Sequence, residues 1–201
     1  MSIPGFFEGT GMPDPGWWEA LWPDPAKVLA DVGIAPRMSV IDLCCGDGWF
    51  TDPLSRIAGE VIAIDIDAAL LNAAKVRIAE RGGAQASTFV KADAYEIAKA
   101  IRAQVDHVFL ANAFHGVPDK PRLARAVHDA LKPGGVFAII SWHARPREET
   151  AVLGEPRGPA TSLRMTPAQT IAAVEPGGLT FQKQVEVSPY HYAAMFQRQR
   201  S

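Results

Sequence analysis

Cysteine is nearly missing from this chain: 2 residues of 201, adjacent at positions 44 and 45. Neighbours along a strand point to opposite faces, so a disulfide between Cys44 and Cys45 is not expected. A lone Cys-Cys pair also lacks the spaced ligands of a metal site, and no metal is expected. An excess of charge of one sign is equally absent, since 20 Lys and Arg face 22 Asp and Glu for a formal net charge of -2. That balance argues against a general nucleic-acid binder or a binder of anionic membranes. No apolar run approaches the ~18 residues of a membrane span. The N-terminus has no basic region leading into an apolar stretch, so no secretory signal is expected. Repeats and low-complexity segments are missing too. These absences describe a soluble, reduced, cytoplasmic chain with no nucleic-acid and no membrane partner; its oligomeric state stays open.

What is present is an ordinary core. Apolar residues make up 48% of the chain, enough for one globular domain over residues 1–201. The stretch that organises it runs from Val40 through Ile41, Asp42, Leu43, Cys44, Cys45, Gly46, Asp47 and Gly48 to Thr51. An apolar run bounded by glycine reads as a buried parallel strand ending in a tight turn. Glycine at 46 and 48 removes Cβ atoms where the backbone must bend or a ligand must come close. A second strand, Val61 to Ile64, ends in Asp65. Strand, glycine turn, helix, strand and acid is the order that binds an adenosine-bearing cofactor, the acid accepting from ribose hydroxyls.

A dinucleotide fingerprint wants glycine or alanine three positions past the second glycine, and this chain has Thr51 there, after bulky Trp49 and Phe50. Asp42 and Asp47 also sit where a pyrophosphate would be repelled. A cationic or zwitterionic ligand tolerates them.

Further along, Thr51 or Asp52 is placed to cap a helix to about Ile57, and Asp67 to cap a longer one stopped at Gly82-Gly83. Strands are expected at 86–91, 105–110 and 136–142, with helices at 95–102 and 120–131. Lys132-Pro133-Gly134-Gly135 reads as a turn before the last of these strands. Alternating strands and helices call for a doubly wound, Rossmann-like α/β sheet. Residues 1–25 hold Phe6, Phe7, Trp17, Trp18 and Trp22, too aromatic for a disordered tail, and read either as a leader packed on the sheet or as a lid over a substrate. Residues 143–165 lose all periodicity and gather arginines 145, 147, 157 and 164, so they read as a substrate loop. Residues 166–201 read as a helix and a hairpin.

These features resemble the class I S-adenosylmethionine-dependent methyltransferases, in particular the ubiquinone and menaquinone C-methyltransferase-like group. The likeness rests on residues 36–142, the cofactor-binding core: Asp42, Gly46 and Gly48 of the first motif, Asp65, Asp93, the segment Leu110 to His115, and Lys132 to Gly135. The chain departs at Cys44, which stands where the family's first glycine belongs. The resemblance implies a seven-stranded, mostly parallel sheet with an antiparallel C-terminal strand and helices on both faces. It implies S-adenosyl-L-methionine as cofactor and S-adenosyl-L-homocysteine as product. Cofactor contacts would come from Asp42, Cys44, Gly46, Gly48, Asp65, Ile66, Asp93, Ala94 and Asn112.

Methyl transfer from a sulfonium is an in-line displacement onto an O, N, S or C atom, so positioning carries much of the rate. A base is needed only where the acceptor must shed a proton. His115, at a strand's carboxyl end, is the candidate base, because an ordinary imidazole titrates near neutrality. Trp17, Trp18, Phe114, His143 and Arg145 are candidate contacts for a small-molecule acceptor. His107, His128 and His191 read as structural, and the cysteine pair as buried packing. Two other readings remain open at this point: an NAD(P)-dependent oxidoreductase, and a non-catalytic S-adenosylmethionine-binding protein.

Overall fold

The computed structural model describes residues 5–82 and 87–200. Among these, seven strands form one sheet in the order β3-β2-β1-β4-β5-β9-β8. They are β1 (Ser39–Leu43), β2 (Glu60–Asp65), β3 (Ser87–Lys91), β4 (Val105–Ala111), β5 (Leu131–Trp142), β8 (Leu179–Ser188) and β9 (His191–Arg198). A two-stranded ladder, β6 (Ala151–Val152) with β7 (Glu155–Pro156), lies in the loop after β5. β1 to β5 pair in parallel, and β9 runs antiparallel between β5 and β8. The chain order reverses between β1 and β4, which leaves a crevice at their carboxyl ends, the place where open α/β sheets bind ligands.

Alternation along the strands builds two cores. Ile41, Leu43, Ile62, Ile64, Val108, Leu110 and Ile139 point to one face, against Leu123 and Val127 of α6 (Lys120–Ala130) and Val174 of α7 (Pro167–Val174). Val40, Val61, Phe109, Ala138 and Ile140 point to the other, against α1 (Pro15–Leu21), α2 (Pro25–Asp31) and α3 (Thr51–Ile57) through Trp18, Leu29 and Leu54, and against Trp22, which follows α1. With apolar neighbours on both faces, the central strands have no polar side to show water. Asp42 shares the parity of Val40, which directs its carboxylate toward α3.

Four sequence expectations change. Residues 15–21 form a helix that the aromatic leader concealed; Asp14-Pro15 opens it as Asp24-Pro25 opens α2, each aspartate accepting from a backbone amide. Neither Thr51 nor Asp52 caps α3: the N-cap is Phe50, without a side-chain bond. The segment expected as a helix at 95–102 is a 3-10 turn, Ala94–Glu96, followed by the four-residue α5 (Ile97–Ala100). Lys132 to Gly135 is an irregularity within β5, since Val105 pairs with Leu131 and His107 with Val136. Asp67 does cap α4 (Ala68–Glu80), accepting from Ala69 N at 2.7 Å. The expected β3 start at Ala86 and the Gly83 half of the helix stop lie outside the described residues.

Candidate functional site

Beyond β1 the backbone enters the left-handed region three times, at Cys44 (φ 57), Gly46 (φ 56) and Gly48 (φ 82). The two glycines answer different needs. A Cβ at Gly46 would meet only the tip of the Met12 side chain, so that face borders open space and the leader. A Cβ at Gly48 would lie 2.8 Å from Ala74 Cβ and 2.9 Å from its Cα, so this glycine lets the turn press on α4. Cys44 holds a conformation that costs a side-chain-bearing residue about 1–2 kcal/mol. Burial and the nearby carboxylates push both cysteine thiols up, so neither is a thiolate at neutral pH.

Two buried carboxylates border the turn. Asp65 Oδ2 accepts from Gly46 N and its Oδ1 from Asp67 N, both at 2.9 Å, which ties the end of β2 to the turn of β1. Each carboxylate oxygen keeps a second acceptor site. Asp42 is 3% exposed and accepts from Thr51 Oγ1 at 2.6 Å, so the residue expected to cap a helix orients this acid instead. Burial pushes Asp42 up to about 7; the Thr51 bond opposes the shift and the charge of Asp65 adds to it. Asp47 is neutralised by Arg77, whose guanidinium also lies over Trp49. The expected repulsion of a pyrophosphate therefore comes from Asp42 and Asp65, not Asp47.

At the end of β4, Asn112 also has a positive φ, 58°. Both polar atoms of its amide are buried without a partner among the described residues. Asparagine tolerates this left-handed conformation better than most side-chain-bearing residues, and its unsatisfied amide makes it a candidate ligand contact. His115 follows in a 3-10 turn, 5% exposed, with Nε2 3.0 Å from Gly9 O. Its Nδ1 is buried and unpartnered. Burial holds the imidazole below its ordinary pKa, and Lys120 and Arg164 push the same way, so His115 is neutral at pH 7. With Nε2–H donating to Gly9, Nδ1 keeps a lone pair able to take a proton.

The leader and the loop after β5 roof this crevice. A Cβ on Gly116 would lie 2.0 Å from Glu8 O, one on Gly9 2.9 Å from Leu163, and one on Gly5 2.8 Å from Ile66, so the leader runs in close contact with all three places. Beneath them lies a partly open cavity of about 250 Å³. Of the residues singled out by sequence, Asp42, Cys44, Gly46, Asp65, Ile66, Ala94, Asn112, His115, Trp17 and Trp18 line it. Met12, Cys45, Trp142, Arg147 and Arg157 also line it. No local pattern marks Met12 or Trp142, which only the folded leader and sheet edge bring there.

The other singled-out residues stand elsewhere. Gly48 supports the turn from behind, as above. Asp93 accepts from Tyr95 N at 2.9 Å and caps the 3-10 turn beside the cavity. Phe114 points into the core and is fully buried. His143 pairs with Glu186, Nε2 to Oε2 2.7 Å, and Arg145 is exposed. His107 bonds Val32 O and His191 bonds Ser188, both buried, consistent with structural roles.

The buried Asp42 yields a test by pH. Its folded value, about 7, lies above the ordinary 3.8, so its contribution to stability is full below about pH 4 and is lost as pH rises through 7. A cationic ligand beside it prefers the ionised form. Binding of a sulfonium ligand such as S-adenosylmethionine is therefore expected to weaken roughly tenfold from pH 8 to pH 6, and Asp42→Asn to flatten that dependence. Calorimetry at both pH values reads this directly; equal slopes in the two proteins would remove Asp42 from the site.

The methyltransferase-domain family matches residues 40–135. The chain is 30% identical over 154 residues to the ubiquinone biosynthesis O-methyltransferase of Methylobacterium nodulans, covering 71% of this chain and 60% of that protein. To the ubiquinone/menaquinone biosynthesis C-methyltransferase of Shewanella oneidensis it is 29% identical over 120 residues, 58% of this chain and 47% of that protein. Among solved structures, an S-adenosylmethionine-dependent methyltransferase from Aquifex aeolicus superposes with a TM-score of 0.77 at 25% identity, over 92% of this chain and 94% of that one. The chain spans about half the length of several of the curated relatives it matches. No helix among the described residues is long and apolar enough to cross a membrane.

Proposed function

The chain belongs to the class I S-adenosylmethionine-dependent methyltransferases, and on that premise we propose that it methylates a small-molecule acceptor. The observation that carries this reading is one cavity joining the glycine turn, Asp42, Asp65 and the unsatisfied amide of Asn112. The cofactor's known chemistry fits those groups: its ammonium group suits Asp42, ribose hydroxyls suit Asp65, and Ile66 and Ala94 offer apolar surface to a purine. When bound, S-adenosylmethionine supplies an electrophilic methyl carbon for in-line displacement.

The chain's own residues then do four things. Asp42, Gly46 and Asp65 hold one ligand at the ends of β1 and β2. Asn112 offers an unpartnered donor and acceptor in the cavity wall, orienting what lies there. The leader and the loop after β5 exclude water, which strengthens each of these contacts. His115 Nδ1 takes the acceptor's proton where the acceptor has one to lose. The cavity extends past the glycine turn to Asn112, His115 and Trp142, which favours a second ligand and catalysis over a binding-only role.

The test is titration with S-adenosylhomocysteine, with NADH as comparison. Micromolar binding of the first alone is the expected result; NADH binding in its place would transfer the reading to an oxidoreductase. Once an acceptor is known, His115→Gln should lower kcat about a hundredfold for a protic acceptor, with S-adenosylhomocysteine affinity unchanged. An unchanged kcat would assign His115 solely to anchoring the leader.

A further inference from the structure

The loop after β5 carries more positive charge than the structure neutralises. Arg147, Arg157 and Arg164 lie together there, and among the described residues none has a carboxylate within the 4.0 Å of an ion pair, although Glu148, Glu149 and Glu155 share the loop. Those three glutamates are exposed. Arg164 is 6% exposed. Its Nε donates to Pro159 O, and its Nη2 to Thr150 Oγ1 and Arg157 O, while Nη1 is buried with no partner. It fixes the loop and leaves the other two cations displayed.

Arg147 and Arg157 line the cavity itself. Arg147 Nε donates to Gly158 O at 3.0 Å, which holds the side chain in place. Arg157 lies over the ring of Trp17, 5.4 Å from its centre, and its Nε is buried with no hydrogen-bond partner. A buried N–H of a guanidinium without an acceptor is a costly arrangement that a bound anion relieves. Trp17, Trp18 and Trp142 supply apolar and aromatic surface to the same cavity. Gly158 fits this construction, since its own Cβ would lie 2.8 Å from the Trp142 ring.

We propose that the acceptor is an aromatic acid whose carboxylate is bound by Arg157 and Arg147, with its ring against the tryptophans. This rests on the methyltransferase reading and names its substrate class. The fork of Arg157 receives the carboxylate as a charge-assisted pair, and Arg147 supplies the second cation. The acidic groups of the cavity are Asp42 in β1, Asp65 at the end of β2 and Asp47 in the glycine turn, the last paired with Arg77, so an anion is drawn to the arginines and a cation to the carboxylates.

The experiment uses the full chain saturated with S-adenosylhomocysteine and follows binding by calorimetry. The probes are benzoate, 1-naphthoate and indole-3-acetate, each beside its neutral amide. At least one acid should bind tenfold or more tightly than its amide. Arg157→Gln should erase that preference, with amide and S-adenosylhomocysteine affinities kept, and Arg157→Lys should restore part of it. Arg147→Gln, which leaves Arg157 in place, should lower acid affinity severalfold. Acids binding no better than amides, acids failing to bind at all, or a preference that survives Arg157→Gln would each overturn the proposal. Failure to bind S-adenosylhomocysteine is a separate result that removes the methyltransferase reading; the acid–amide comparison on the unliganded chain then still decides the arginine site.

Discussion

Asp65→Ala is expected to weaken S-adenosylhomocysteine binding by at least about a hundredfold, the largest affinity loss of any single change. Two charge-assisted hydrogen bonds to ribose hydroxyls are worth roughly 1.5–3 kcal/mol each, which already gives that factor. A second consequence adds to the first. Asp65 also accepts from Gly46 N and Asp67 N, so its removal frees the turn that must cradle the ligand. Asp65→Asn keeps one acceptor oxygen but turns its NH2 toward the backbone amide of either Gly46 or Asp67, so with the charge gone as well it should lose more than about tenfold while staying above the alanine variant. Calorimetry of the three proteins reads the series. Wild-type affinity in Asp65→Ala would remove the ribose role and leave Asp65 as a purely structural tie.

The largest expected loss of stability is that of Gly48→Ala, about 3 kcal/mol. Part comes from φ 82 at this position, where a Cβ costs about 1–2 kcal/mol. The rest comes from α4, whose Ala74 backbone stands 2.9 Å from the new Cβ and moves only with its helix. For a chain of 201 residues this corresponds to a melting temperature lower by about 6–12 °C. Gly46→Ala makes the informative contrast. Its Cβ meets the flexible end of Met12, so stability should fall by only about 1–2 kcal/mol. Because Gly46 lines the cavity and Gly48 does not, the milder variant should be the one that damages ligand affinity more at low temperature. Equal melting temperatures for the two alanine variants would show that α4 yields to the extra atom.

Position 48 shows why a motif read along the chain gives a site only in part. Both glycines belong to one pattern, yet one faces the cavity and the other a helix that begins 20 residues later. Thr51 makes the same point: its place near a helix start suggested a cap, and the parity of β1 instead sends the Asp42 carboxylate to meet its hydroxyl. His143 follows a strand whose neighbours line the cavity, but Glu186 on β8 holds it outside. Each of these outcomes depends on an element distant in sequence.

The sequence by itself determined the sheet, because strands buried on both faces must read as apolar runs and the glycine turns between them are sterically required. It also determined the acids at the ends of β1 and β2, since a buried charge stands out against an apolar run. Tertiary structure alone decided what closes the cavity. The leader comes back across Ile66, Gly9 meets His115, and a loop without periodicity brings Arg147 and Arg157 to Trp17. Such contacts leave no local signature: they join segments far apart in the chain, 106 residues for Gly9 and His115, and the side chains that make them answer to packing across that distance rather than to any repeat along the chain.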